Sequence, residues 1–337
     1  MVSASVKDVA ALAGVSVGTV SNVLNRPEKV SAEVTVRVHT AIDKLGFVRN
    51  DAARQLRAGL SHSFGLVVLD AANPFFTELA RGAEDRAAAE HFTVLVGNSN
   101  EDAGREAAYL DLFEQQRVRG VLISPVGNVI PRLEQLRRRG IPTVLVDRQT
   151  DNLSFSSVAV DDLAGGEMAV DHLLSVGRRR IAFVGGPENI RQVADRLAGA
   201  RKAVESAAPG ASLEVIGTES LTVLSGRAAG EAIRLRPAAD RPDAIFAAND
   251  LLAVGVLQGL MLMGGVQVPQ EIALIGYDDI EFAGAAVVPL SSIRQPSALI
   301  GSTALELLLR EATPEPGFVP RQVVFPPELV VRASTQG

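Results

Sequence analysis

Six polar residues stand at or just beyond the ends of short apolar runs: Asp70, Asn98, Ser124, Asp147, Asn249 and Asp278. A carboxylate can accept two hydroxyl hydrogens, and an arginine can donate to a ring or hydroxyl oxygen. With the aromatic pair in Asn73-Pro74-Phe75-Phe76 as a wall, such residues converging in a cleft would suit a polyol, that is, a sugar. A second set lies near the N-terminus. Asn22 can pair with the N6 and N7 edge of adenine, and Val17 can pack on a thymine methyl. Thr19, Ser21, Asn25 and Lys29 suit phosphate contacts, which fix register rather than sequence preference. Signs of catalysis are missing. The chain has no P-loop, no H-E-x-x-H and no glycine-rich dinucleotide fingerprint after the first apolar run. Its four histidines (His39, His62, His91, His172) are dispersed, and it has no cysteine. Gly14-Val15-Ser16-Val17-Gly18 fits G-x-S-x-G, but a helix precedes it where the nucleophile elbow needs a strand. No cofactor is expected.

The elements that must carry the N-terminal set are short helices. Ser5 can cap a first helix with Asp8 completing the capping box, and Gly14-Val15 breaks it. Ser16 caps a second helix to about Asn25, ended by Arg26-Pro27, and Ser31 caps a third that stops at Gly46. Two helices around a tight turn with a third closing a small core make a helix-turn-helix. Its second helix enters the major groove, which leaves Val17, Gly18, Ser21 and Asn22 facing the bases. The alternative is a three-helix packing domain without a ligand, in which a solvent-facing Val17-Gly18 at a helix start has little purpose.

Beyond residue 64 the pattern changes. Apolar runs at 64–69, 92–96, 118–123 and 143–146, then at 181–184, 213–216, 244–246 and 273–275, alternate with helical stretches. Alternation of this kind implies parallel sheets covered on both faces, and two series imply two Rossmann-like lobes. Ligands of such sheets sit beyond the carboxyl ends of the strands, here between the lobes. A length of 337 residues, 47% of them hydrophobic and 21% charged, accommodates this head and body and excludes a disordered chain. The net charge of −6 is uneven. Eight Lys and Arg against five acids give residues 1–61 a charge of +3, which leaves −9 on the rest, as expected if only the head meets a polyanion. No run of about 18 apolar residues is present, so no membrane partner is expected. The N-terminus lacks a basic flank followed by an apolar core, so a cytoplasmic location is expected.

The strings Val9-Ala10, Ala13-Gly14-Val15-Ser16, Thr19-Val20-Ser21, Val23-Leu24-Asn25, Val30-Ser31 and Leu45-Gly46-Phe47-Val48-Arg49-Asn50 resemble the LacI/GalR family of bacterial transcriptional repressors. The resemblance continues through the body to about residue 332. It implies an all-α helix-turn-helix head on an α/β body of two Rossmann-like lobes resembling periplasmic binding proteins. The division expected is a head over 1–48, a hinge helix and linker over 49–61, and an effector-binding and dimerisation body over 62–337. One lobe would take about 62–160 and 291–320, the strand at 291–294 returning the chain to it, and the other about 161–290 and 321–337. The resemblance also implies that Ser16 and Ser31 join the DNA-contacting residues. In the hinge, Leu56 beside Ala53, with Arg54, would meet the minor groove, Leu56 as a wedge between base steps. Nine residues are too few for an isolated helix in water, so the hinge would order only on DNA; a plain linker is the alternative. For the effector it implies Phe75, Phe76, Asp147 with Arg148, Arg196, Asn249, Asp278 and Gln295, beside Asp70. Asp250 is expected to cap its helix instead. The partners implied are double-stranded operator DNA, a small effector of the monosaccharide type and a second copy of the chain. A transport-type sugar receptor, or a regulator answering to a purine or a sugar phosphate, are the competing readings.

Overall fold

The structure, a computed structural model, describes residues 4–47, 61–150, 152–207, 209–262, 265–314 and 316–336. The chain resolves into two compact units, Met1–Leu60 and Ser61–Gly337.

In the first unit, α1 (Val6–Ala13), α2 (Val17–Asn25) and α3 (Ala32–Leu45) pack on a core of Val9, Ala13, Val20, Val23, Val38 and Ala41. The capping box at Ser5 and Asp8 is complete, with the Ser5 amide donating to Asp8 Oδ2 at 2.8 Å. Gly14 takes the left-handed conformation (φ 65°) that ends α1, and Arg37 Nη2 donates to Ala13 O at 2.5 Å, which ties the turn to α3. Ser16 caps α2 as expected, its Oγ accepting from the Thr19 amide at 3.0 Å. Ser31 differs. It occupies the N-cap position of α3 but its side chain makes no capping bond; Thr35 Oγ1 donates to the Ser31 carbonyl instead, at 3.1 Å.

The second unit holds two six-stranded sheets. The strands of the first are β1 (Ser63–Val68), β2 (Thr93–Asn98), β3 (Val121–Ile123), β4 (Thr143–Val146), β5 (Ser156–Val160) and β11 (Gln322–Phe325), in the order β11-β5-β4-β3-β1-β2 and parallel throughout. The second contains β6 (Arg180–Gly185), β7 (Ser212–Gly217), β8 (Ala244–Ala247), β9 (Ala273–Asp278), β10 (Ser291–Arg294) and β12 (Glu328–Val330). Its order is β12-β10-β9-β8-β6-β7, with only β12 antiparallel. In each sheet the strand order reverses once, beside β1 and beside β6, and such switch points open crevices at the carboxyl ends.

The division of strands corrects two expectations, that the strand at 291–294 belongs to the first lobe and that 321–337 lies wholly in the second, since β11, at 322–325, pairs with β5 in the first sheet. β10, at 291–294, pairs with β9 in the second sheet and does not return to the first; the chain returns only with α12 (Ser297–Ala312) and β11, and β12 crosses back once more. The reason lies in buried polar groups. Ser292 Oγ donates to Asp250 Oδ1 at 2.8 Å, and Ser291 Oγ lies 2.7 Å from Thr335 Oγ1, so β10 is tied to the second lobe by bonds that its apolar pattern does not reveal.

Candidate functional site

On the head, Ser16, Val17, Gly18, Asn22, Lys29 and Ser31 are exposed, while Thr19 and Ser21 are half-buried. Val17 keeps 42% of its surface open at the first turn of α2, where an apolar side chain gains nothing from the head's own core. The exposed start of α2 is the arrangement that major-groove reading requires. The side chain of Asn25, and Ala53, Arg54 and Leu56 of the hinge, lie outside the described residues.

In the body, the carboxyl ends of β1, β2, β4, β8 and β9 and the first turns of α4 (Pro74–Ala88) and α8 (Arg191–Ser206) surround a narrow cleft that opens to solvent. Asp70, Phe75, Phe76, Asp147, Arg196, Asn249, Asp278 and Gln295, all expected, line it together. Arg148 does not; it opens into an adjacent space and donates from Nη1 to Gly127 O at 3.2 Å. Backbone geometry explains the split. Asp147 sits in the left-handed region (φ 55°) just after β4, so consecutive side chains leave the turn into different spaces.

Arg196 is the centre of the cleft. Its Nε donates to Asp162 Oδ1 at 2.8 Å, its Nη1 donates to Ala248 O at 2.8 Å and lies 3.8 Å from Asp278 Oδ1, and its guanidinium stacks 3.7 Å from the Tyr277 ring. α7 (Asp162–Ser175) and α8 approach closely enough for this contact because each sets a glycine against the other's backbone: a Cβ on Gly199 would stand 2.0 Å from the Leu163 carbonyl oxygen, and one on Gly166 2.1 Å from the Arg196 carbonyl oxygen. Asp278 is held on both oxygens, by Asn73 Nδ2 at 3.0 Å and Gln295 Nε2 at 2.8 Å. Gln192 Nε2 donates to Asp147 at its carbonyl oxygen (2.5 Å) and at Oδ2 (2.8 Å). These bonds fix both glutamine amides and turn their oxygens away from the partners just named. Asp147 Oδ1, Gln192 Oε1 and Gln295 Oε1 have no hydrogen-bond partner among the described residues, although the three residues are at least 96% buried.

Burial pushes the Asp147 and Asp278 carboxyls up, Asp147 well above the usual range, and Arg196 pulls both part of the way back. Burial also acts to lower the Arg196 pKa, but Asp162, Tyr277, Asp278 and Asp147 outweigh it, so the guanidinium stays charged. Glu101, a lining residue that the pattern of strand ends misses, is raised to about 7 by burial and by Asp70.

Asn249 lines the cleft as expected and also takes the capping role expected of Asp250. Asn249 Oδ1 caps α10 (Asp250–Met261) by accepting from the Leu252 amide at 2.9 Å, while Asn249 Nδ2 donates to Leu221 O. Asp250 is not the cap. It accepts from Ser292 Oγ and from the Ile280 amide (2.9 Å), joining three elements of the second lobe. Besides Glu101, sequence reasoning passed over Asn73, Asp162, Gln192 and Tyr277 as site residues. Gln192 was within reach, since it stands four residues before Arg196 on one face of α8.

Residues 5–50 match the family described as bacterial regulatory proteins, lacI family, and residues 170–335 match a periplasmic binding protein-like domain. The ribose operon repressor of Escherichia coli strain K12 is 34% identical over 98% of this chain and 99% of its own. The lac repressor dimer bound to operator and the anti-inducer ONPF superposes with a TM-score of 0.84 at 25% identity, covering 100% of both chains. A LacI family transcriptional regulator from Enterococcus faecium with bound ribose has a TM-score of 0.72 at 28% identity, over 81% of this chain and 98% of its own. With a helix-turn-helix head on a two-lobed α/β body and a full-length relative at this identity, the chain belongs to the lacI family of bacterial regulatory proteins.

Proposed function

We propose that the chain is a repressor that binds a palindromic operator as a homodimer and answers to an uncharged pentose of the ribose type held in the cleft around Arg196. The observation that carries the ligand class is the set of buried polar atoms without partners, Asp147 Oδ1, Gln192 Oε1 and Gln295 Oε1, beside Phe75 and Phe76. Buried polar groups are ordinarily paired, and a sugar hydroxyl serves as donor or acceptor, so a polyol satisfies all three whichever atom holds the proton. The aromatic rings offer an apolar wall to the sugar's C–H face. Charge supports an uncharged ligand: Asp70, Glu101, Asp147 and Asp278 line the cleft with Arg196 as its one cation among the described lining residues. The ribose-bound relative and the ribose operon repressor support the pentose.

On DNA, two heads would take half-sites about one helical turn apart, with Val17 and Asn22 at base edges and Ser16, Thr19, Lys29 and Ser31 at phosphates. Leu56, with Ala53 and Arg54, would enter the minor groove between the half-sites. Ligand acts by its differential affinity for two lobe arrangements, which sets the spacing of the hinges. In this reading the cleft carries no catalytic step and the protein acts in the cytoplasm; among the described residues no helix is long and apolar enough to cross a membrane. Calorimetry with D-ribose, paired with mobility shifts on fragments from the chain's own upstream region, tests the proposal. The expected result is saturable binding at one site per chain that changes operator affinity. Ribose that binds without altering operator affinity, or fails to bind at all, contradicts it.

A further inference from the structure

Arg196 meets the cleft with a flat group, and a flat donor selects its partner only if its plane is held. The guanidinium carries its N–H donors in a rigid planar fork. Its Nε donates to Asp162 Oδ1 and its Nη1 to Ala248 O, both at 2.8 Å. Among the described residues these are its hydrogen bonds, and neither uses Nη2, which leaves that amino group to an occupant of the cleft. Two bonds made in the plane of the group stop it from turning within that plane. They do not stop it from tilting about the line that joins them. The Tyr277 ring does, because the guanidinium carbon sits over its face, 3.7 Å from the centroid. Packing holds the ring in turn. Tyr277 is fully buried near the end of β9, Phe246 of β8 backs it at 6.5 Å between centroids, and Phe183 of β6 stands 5.3 Å from Phe246, edge to face. At the hydroxyl end α7 makes room, since a Cβ on Gly165 would stand 2.2 Å from the Tyr277 oxygen. That hydroxyl has no hydrogen-bond partner among the described residues, so the face of the ring, not its polar tip, is what this position uses.

We propose that Tyr277 is a positioning residue for effector binding: its ring fixes the plane of the Arg196 guanidinium and so aims Nη2 at the sugar oxygens. This role rests on the pentose reading for the identity of the sugar, whereas the hold of the ring on Arg196 precedes any ligand. A donor fixed in plane reaches hydroxyls of one configuration and misses those of the epimer, so the same contact sets discrimination as well as affinity. A guanidinium free to tilt must be ordered by each sugar that enters, which weakens the binding of the right one and narrows the difference between the two.

The test uses the full chain and its Tyr277→Phe, Tyr277→Leu and Phe183→Leu variants. The first readout needs no ligand. In NMR spectra of arginine-labelled protein, the Arg196 Nε–H resonance, identified by its loss in Arg196→Lys, should stand upfield in the wild type and in Tyr277→Phe relative to Tyr277→Leu, because the ring current acts only where a ring remains. The second is calorimetry with D-ribose and with D-arabinose, its C2 epimer. Tyr277→Phe should bind ribose within about twofold of the wild type, and Tyr277→Leu about tenfold more weakly with a narrowed preference over arabinose. Phe183→Leu removes a ring from the same stack without touching Arg196; it should lose stability and keep its ribose affinity within about twofold. A folding defect lowers the number of sites per chain and not the affinity of those that remain. An Nε–H resonance that ignores the loss of the ring, wild-type affinity in Tyr277→Leu, or an equal loss in Phe183→Leu overturns the assignment. Should the wild type bind no ribose, the pentose reading fails while the resonance still decides whether Tyr277 holds Arg196, so the two failures are separate results.

Discussion

Glu101 shows how much one side chain can gather from its position. Just past β2, in the left-handed region (φ 58°), it holds a carboxyl against Asp70 where water is scarce, and its pKa rises from 4.5 to about 7. The folded chain therefore keeps a proton that the unfolded chain releases near pH 4.5. Stability that this group contributes below that pH is lost as pH climbs through about 7. Glu101→Gln should flatten that decline and melt higher than the parent at pH 8, which thermal scans from pH 5 to 8 would reveal; parallel curves would refute the assignment. Arg196 works in the opposite sense. Its removal strands Asp162 and Asp278, so Arg196→Ala should cost about 3–5 kcal/mol in urea unfolding, as expected for a buried charge left without its partner. Ribose binding should vanish with it, while Arg196→Lys restores part of the stability and little of the affinity.

At the scale of elements, α7 and α8 form the platform that carries Asp162, Gln192 and Arg196. Gly199→Ala would press a methyl group to 2.0 Å from the Leu163 carbonyl oxygen, and the helices must separate. A loss of about 1–3 kcal/mol is expected, together with weaker ligand binding, because Arg196 moves with its helix. Gly217→Ala, at the end of β7 with nothing within 4 Å of the added atom, serves as the control and should change stability by no more than about 0.5 kcal/mol. The head offers a similar contrast. Ser16→Ala removes a formed cap and should cost about 1 kcal/mol. Ser31→Ala removes no capping bond and should leave the melting temperature almost unchanged; if Ser31 meets a phosphate, operator affinity should still fall, for operator and random duplex alike. Unchanged affinity would take Ser31 out of the interface.

Across the whole molecule, the basic head and acidic body predict strongly salt-dependent binding confined to the head. Operator affinity should drop about a thousandfold between roughly 50 and 200 mM salt if six phosphates are contacted, and a flat dependence would exclude the proposed interface. Leu56→Ala should weaken operator binding far more than binding to random duplex, since only a site that can be kinked rewards a wedge. An equal loss on both would leave the hinge as a linker. Within the body, three crossings join the lobes, before α7, before α12 and between β11 and β12, so neither lobe is one continuous segment.

Local rules made much of this legible. Ser5, Gly14, Ser16 and Gly46 each obey constraints that act over three or four residues, so the helices of the head follow from the sequence alone. Strand ends are equally local: of the six polar residues they mark, Asp70, Asp147, Asn249 and Asp278 line the cleft, whereas Asn98 and Ser124 do not, Asn98 instead accepting from the Ala71 and Asn100 amides. The sharing of labour inside the cleft was not. That Asn249 rather than Asp250 caps α10, that β10 stays with the second lobe, and that Arg148 faces a separate chamber depend on partners 30 or more residues away or on a left-handed turn. Apolar periodicity and capping specify the elements because they are properties of neighbouring residues. Which buried polar atom meets which, and that Asp147 Oδ1, Gln192 Oε1 and Gln295 Oε1 in the cleft are left without a partner among the described residues, is settled only when distant segments close on each other and each group must find a bond where water is excluded.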